Sequence, residues 1–437
     1  MRSSSVPVLI LGAGLAGLSA AWHLRRGGAT CRLLERRGEV GGHATTLEDE
    51  GFRFDRTGHL LHLRDEEIRG LVHRLLGDRL LRVQRRSRVY SHGVYTRYPF
   101  QANTHGLPPE VAHECVMGFL EARKTPPPRE PEHFEAFCQA HFGPGFSRHF
   151  MLPYNEKLWG VSPREISAAW CQRFVPIPSV EDVIAGAVGL HDRELGYNAS
   201  FVYPRGGIGE LATALAAEVG EVELDREPLW IDPERRVVGL ADEEIRYERL
   251  ISTAPLDRLG GLLRGAPPGV QAAFRRLRCT DLYYLDVALD GPILQDLHWV
   301  YVPEPRYPFY RVGCYSHFSP DLAPPGCASL YVELADRRPP DLATVVPEVL
   351  RHLTEMRLIE GPGAARFVRL RHLSHAYVLF DHSYFGALAV LEPYLADQGI
   401  QSTGRYGGWN YSSMEDALRY GRDAARSVLA APSHEPP

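Results

Sequence analysis

Apolar positions near the N-terminus change from a continuous run to helical spacing. Val8-Leu9-Ile10-Leu11 is the kind of run that a parallel strand buried on both faces requires. Leu15 to Arg26 follows a helical pattern that Gly27-Gly28 closes. Cys31 to Glu35 reads as a second parallel strand, which completes a βαβ unit within about thirty residues. From Pro108 to Asp192 the pattern is mostly helical, broken by an exposed connector with prolines at 126–128 and 131. A glycine-rich turn after Tyr203 feeds a helix from Leu211 to Val219, and short strands alternate from Val222 to Ile251. LYYLDVAL and SLYVEL, after Asp281, predict antiparallel strands. The tail returns to a glycine turn, Gly404 to Gly408, and a helix from Met414 to Leu429.

Composition narrows the class. A chain of 437 residues divides into two or three domains. A net charge of −5 provides no basic field for nucleic acid or anionic lipid. Basic charge is almost all arginine, with lysine only at Lys124 and Lys157. Seven cysteines without a CxxC pair argue against a disulfide framework and a structural zinc site, so no metal is expected and a reducing cytoplasm is the expected compartment. Val6 to Leu24 lacks Asp, Glu, Lys and Arg and is long enough to span a bilayer. Gly12, Gly14 and Gly17 inside it favour strand, turn and helix instead, with no membrane span and no targeting signal.

These glycines have GxGxxG spacing. The first permits a sharp turn, the second lets backbone approach a pyrophosphate, and the third lets helix and strand pack closely. Glu35 follows at the end of the second strand, where a carboxylate accepts from ribose hydroxyls. Gly41-Gly42 adds a second close-approach turn. In this combination the chain resembles the FAD-binding start of the flavin amine oxidase and mutase superfamily. Gly404-Arg405, Tyr411 and the helix start at Met414 resemble that superfamily's C-terminal flavin segment.

Seven further segments occur in order: FDRTGHLLHL, RYPFQANTHGLP, PYNEKLWGVSP, AWCQRFVPIPS, GYNASFVYPRGGIG, YPFYRVGCYSHFSP and GRYGGWNYSSMEDA. Together they resemble the UDP-galactopyranose mutase family, in its eukaryotic-type branch, over most of the chain. The resemblance implies a Rossmann-like α/β FAD-binding domain over 1–95, 196–260 and 395–437. It implies an inserted helical cap over 105–192 and an antiparallel-sheet substrate domain over 96–104 and 261–394. It implies a UDP-sugar isomerised between pyranose and furanose by covalent catalysis through N5 of reduced FAD, with no net redox. NADPH or NADH is the corresponding reductant, and a homo-oligomer is compatible with the family.

Site residues carried by the resemblance are these. Tyr98, Phe100 and Gln101 border the nucleotide. Asn155 and Trp159 line the sugar and diphosphate pocket, Arg173 and Arg311 grip the diphosphate, and Asn198 contacts the sugar or the arginine that holds it. Tyr301, Tyr377 and Tyr411 donate hydroxyls to phosphate, and His59 lies against the flavin ring. The residue types suit the task. A buried diphosphate needs matched donors, and guanidinium offers a planar fork that stays protonated. Lys157 reads as a structural ion pair with Glu156 or Glu165, and His43 as an ordinary loop residue. Two departures from the family pattern, Tyr377-Val378 and Gly42-His43, leave the sugar open. A flavin oxidase or desaturase of the protoporphyrinogen or phytoene type is the alternative reading. A non-enzymatic sugar-nucleotide sensor is a third.

Overall fold

Alternation along the first strand distributes its side chains to two cores. In the computed structural model, which describes residues 2–171, 175–190 and 200–430, Val8 and Ile10 face one layer of helices while Leu9 and Leu11 face another. The strand Arg2–Leu11 lies between Cys31–Leu34 and Glu243–Ser252, parallel to both. Glu243–Ser252 also pairs in parallel with Ile400–Ser402 and antiparallel with Val237–Gly239. Trp230–Asp232 completes this six-stranded sheet. Leu15–Arg26, Gly209–Val219 and Met414–Ala430 cover one face. Leu256–Leu262, Pro268–Arg275 and Tyr384–Asp397 cover the other.

A second sheet of seven strands runs in the order Ala365–Val378, Cys279–Leu289, Ala328–Leu334, Phe309–Cys314, Trp299–Tyr301, Ser87–Ser91, Val94–Arg97. LYYLDVAL and SLYVEL pair antiparallel as expected. The sheet is nevertheless mixed, because Trp299–Tyr301 and Ser87–Ser91 run parallel. Two expected boundaries also move. Residues 87–95 pair in this sheet rather than in the dinucleotide layer, and helices Pro268–Arg275 and Tyr384–Asp397 pack in the dinucleotide layer's core. Local pattern identifies an element but not the sheet that it joins.

Between 108 and 190 the described residues are mainly helical: Pro109–Ala122, Phe134–Phe146, Leu152–Trp159 and Val180–Ala187. Phe119, Phe134, Phe146 and Trp159 share a core with Tyr310, Tyr315 and Tyr331 of the second sheet, so the helical part is seated on that sheet. Arg173 and Asn198 lie outside the described residues. No helix among the described residues is long and apolar enough to cross a membrane.

Candidate functional site

A cavity of about 1270 Å³ opens where the strands Arg2–Leu11 and Glu243–Ser252 end, the crevice where open α/β sheets bind ligands. Its floor is the first helix's N-terminus. Gly14 precedes that helix with no side-chain cap, and the first turn carries no acid, so the leading N–H groups and the helix dipole remain for an anion. A Cβ on Gly14 would meet nothing within 4 Å, whereas one on Gly17 would stand 1.8 Å from the Gly12 carbonyl oxygen. Gly14 therefore keeps the cavity open to backbone, and Gly17 permits the packing beneath it. Glu35 is held at the rim by the N–H groups of Ala13 at 2.8 Å and Arg37 at 3.0 Å. Each of its oxygens retains a lone pair for a hydroxyl. Gly41 and Gly42, at φ 104° and 63°, form the neighbouring turn.

The opposite wall carries charge and phenols. Arg311, Tyr377, Arg405, Tyr411, Tyr98 and Arg85 all line the cavity. Arg311 Nε donates to Glu333 Oε2 at 2.9 Å, and its Nη2 donates to the other oxygen of this fully buried carboxylate. One edge of the guanidinium fork, expected to grip a diphosphate, is thus spent on Glu333, and Nη1 takes part in neither bond. Nη2 also lies 3.5 Å from the Tyr377 hydroxyl. Arg405 donates to the Ser412 carbonyl and lies 4.8 Å from the Tyr411 ring, which ties down the segment ahead of Met414. Burial raises the Tyr98 and Tyr377 phenols well above their ordinary range, so both remain protonated donors.

His59 lines the same cavity on the loop after strand Phe52–Asp55. Burial pushes its imidazole down to about 4, and the charges of Arg405 and Arg311 act in the same direction. It is neutral at pH 7. Its Nδ1 and that of His43 are buried without a hydrogen-bond partner. His43 is pushed down to about 3 by burial, with His59, Arg37, Arg56 and Arg405 adding to the shift. Two buried imidazole nitrogens without partners beside a polar cavity suit a bound group that supplies the missing bonds.

Residues 15–429 match the family described as flavin containing amine oxidoreductase. The chain belongs to this family. FAD is the cofactor that the family implies, and the open glycine turns, uncapped helix end, rim carboxylate and the two unpartnered imidazole nitrogens fit a dinucleotide. A solved structure of reduced UDP-galactopyranose mutase is similar, with a TM-score of 0.91 and 26% identity over 97% of this chain and 94% of that one. Cyclohexylamine oxidase from Brevibacterium oxydans IH-35A shares the fold, with a TM-score of 0.68 and 16% identity over 97% of this chain and 98% of that one. In sequence, phytoene desaturase (lycopene-forming) of Pseudescherichia vulneris is 27% identical over 378 residues, covering 74% of this chain and 75% of that protein. Carotenoid 3,4-desaturase of Haloarcula japonica is 48% identical over 52 residues, which span 12% of this chain and only 10% of that protein.

In this chain Gly12, Gly14, Glu35, Gly41, Gly42, His59, Gly404, Arg405 and Met414 converge on the cavity. Five residues expected at the substrate do not line it. Trp159 Nε1 donates to Asn155 Oδ1 at 3.2 Å while Asn155 Nδ2 donates to the Met151 carbonyl, so these side chains satisfy each other. Trp159 stands behind Tyr377 and Tyr411, with ring centroids 5.8 and 6.3 Å away. Phe100 stacks on Phe150, Gln101 donates to the Pro176 carbonyl, and Tyr301 packs between Tyr98 and Tyr154. Lys157 is not an ion pair with Glu156 or Glu165. Its Nζ donates to the carbonyls of Val302, Glu304 and Phe309, and burial pushes its ammonium down to about 7. It anchors the cap helix to the second sheet.

Cavity residues that the sequence reading passed over include His43, Arg85 and His375. His43 directly follows Gly42, and its place beside a close-approach glycine was the available signal. Arg85 lies over the rings of Tyr98 at 4.8 Å and Trp299 at 5.6 Å, a contact between distant segments that no local pattern carries.

Proposed function

We propose that the chain is a flavin-dependent nucleotide-sugar mutase that interconverts the pyranose and furanose forms of a UDP-sugar. The observation that carries this reading is the joint one of a TM-score of 0.91 to reduced UDP-galactopyranose mutase and a cavity wall of arginines and tyrosines. When bound, reduced FAD supplies a nucleophilic nitrogen for covalent catalysis without net electron transfer. The residues' task is to keep a departed UDP beside the sugar. Arg311 Nη1, steadied by the bond of Nε and Nη2 to Glu333, is the cation offered to the diphosphate. Arg173 is its partner in the sequence reading. Tyr98, Tyr377 and Tyr411 add uncharged donors. Retaining the leaving group makes its return effectively unimolecular. Neutral His59 offers a hydrogen bond near the reacting centre without competing charge. Asn155, Trp159, Phe100, Gln101 and Tyr301 support this wall from behind, and Asn198 is assigned to the sugar.

Sequence likeness to phytoene desaturase supports a second reading, oxidation of an apolar polyene. Arg85, Arg311 and Arg405 in the cavity lining weigh against it, because desolvating cations along an apolar substrate is unfavourable. The deciding experiment incubates dithionite-reduced enzyme with a panel of nucleotide sugars and separates furanose from pyranose products. Ring interconversion by reduced but not oxidised enzyme is expected. Unchanged ring size with every UDP-sugar, together with oxygen uptake on a polyene, overturns the mutase reading.

A further inference from the structure

Asp257, Cys279 and His375 are far apart in sequence and meet where the two sheets join. Asp257 lies in the first turn of Leu256–Leu262, directly after the central strands of the dinucleotide layer. Cys279 begins strand Cys279–Leu289 of the second sheet. His375 lies in the neighbouring strand Ala365–Val378, at an irregular point of the ladder. Thr280 faces Tyr377 and Leu282 faces Leu373, so Ser374, His375 and Ala376 stand opposite Asp281 alone. Within this bulge His375 has φ 57°, a strained conformation for a non-glycine residue that persists where the surroundings impose it. The bulge turns the ring out of the ladder's alternation, and Nε2 comes 3.0 and 2.9 Å from the two Asp257 oxygens. A ligand atom from each of Asp257, Cys279 and His375 lies within 4.8 Å of the others.

We propose that these three side chains form a zinc site that staples the dinucleotide layer to the second sheet. Thiolate, imidazole and carboxylate are the donor types that zinc takes. Zinc bond lengths place neighbouring ligands of a tetrahedral ion roughly 3–4 Å apart, so a shift of about 1 Å in Cys279 closes the site. Local charge favours a cation. Asp281 faces the same thiol as Asp257, with Arg258 as the opposing positive group. Asp281 also accepts the His375 N–H at 3.2 Å and pairs with His372 at 2.9 Å, which fixes the bulge from its far side. Three protein ligands leave a fourth position for water or an anion from the cavity that His375 lines. Cysteine spacing alone points away from a metal. Here only one ligand is a cysteine, and the fold brings the others to it. The inference is independent of the mutase reading.

The test uses the full FAD-loaded protein, stripped with a chelator and dialysed against dilute zinc, with metal measured by elemental analysis. One zinc per chain is expected in the parent and in Cys327→Ser, which changes another half-buried cysteine. Cys279→Ser should weaken zinc binding by more than the roughly 10–100-fold that losing an outer-shell partner costs. A second readout needs no variant: zinc should slow alkylation of Cys279, mapped by mass spectrometry, and chelator should restore it. Failure of the folded parent to take up zinc, uptake that Cys279→Ser leaves unchanged, or alkylation indifferent to zinc would each overturn the proposal.

Discussion

Arg311→Lys preserves charge and removes shape. In the native chain Nε and Nη2 meet both oxygens of Glu333, a carboxylate with no solvent exposure. A lysine presents one ammonium and reaches one oxygen. The other buried oxygen then loses a charge-assisted donor, at a cost of about 1.5–3 kcal/mol. If the pair exists to aim Nη1 at the diphosphate, this loss falls on the bound transition state. It then appears as a roughly 10- to 150-fold decrease in kcat/KM. The assays are ring interconversion by reduced enzyme and urea unfolding of the holoenzyme, both with Glu333→Gln and the double variant alongside. The cycle should show a coupling of about 0.5–3 kcal/mol, as for residues in direct contact. A lysine variant within twofold of the parent in kcat/KM, with an unchanged urea midpoint, refutes the account of this pair.

Substitutions at four other positions probe the site and the anchor of the helical part. Gly17→Ala forces a methyl against the Gly12 carbonyl and should cost about 3 kcal/mol or more of stability, whereas Gly14→Ala meets no protein atom. The Gly14 variant should keep the apoprotein's melting temperature yet lose FAD affinity by about tenfold or more, read by fluorescence titration; equal effects of the two changes would contradict the assigned roles. His59 has a folded pKa of about 4, below its ordinary 6.5, so the folded state binds fewer protons than the unfolded state between these values and loses stability as pH falls. Measured by urea unfolding, the parent should lose about 1–2 kcal/mol relative to His59→Gln between pH 7 and pH 5, and parallel pH profiles would remove the effect. Lys157→Met leaves three carbonyls without their donor and should lower stability by about 1–3 kcal/mol, while Lys157→Arg, whose planar fork cannot reproduce three bonds from one nitrogen, should restore it at most in part. Chemical denaturation of both variants distinguishes this anchor from a solvated lysine.

By itself the sequence determined the first strand, glycine turn and helix of the dinucleotide layer and the acid that follows them. Its signals are local: an apolar run for a strand buried on both faces, glycines at fixed offsets where backbone must approach backbone or ligand, and an acid at the next strand's end. Each depends on neighbours within a few tens of residues, and the structure places Gly12, Gly14, Glu35 and Gly41 around one cavity accordingly. Tertiary structure alone decided which sheet residues 87–95 join, that Trp159 and Asn155 satisfy each other, and that Lys157 caps three carbonyls. It alone decided that the Arg311 fork is held by Glu333 and that Asp257, Cys279 and His375 converge. The physical reason is that a polar side chain in a desolvated interior must find a partner. Which partner it finds depends on chain segments brought together only when the core closes.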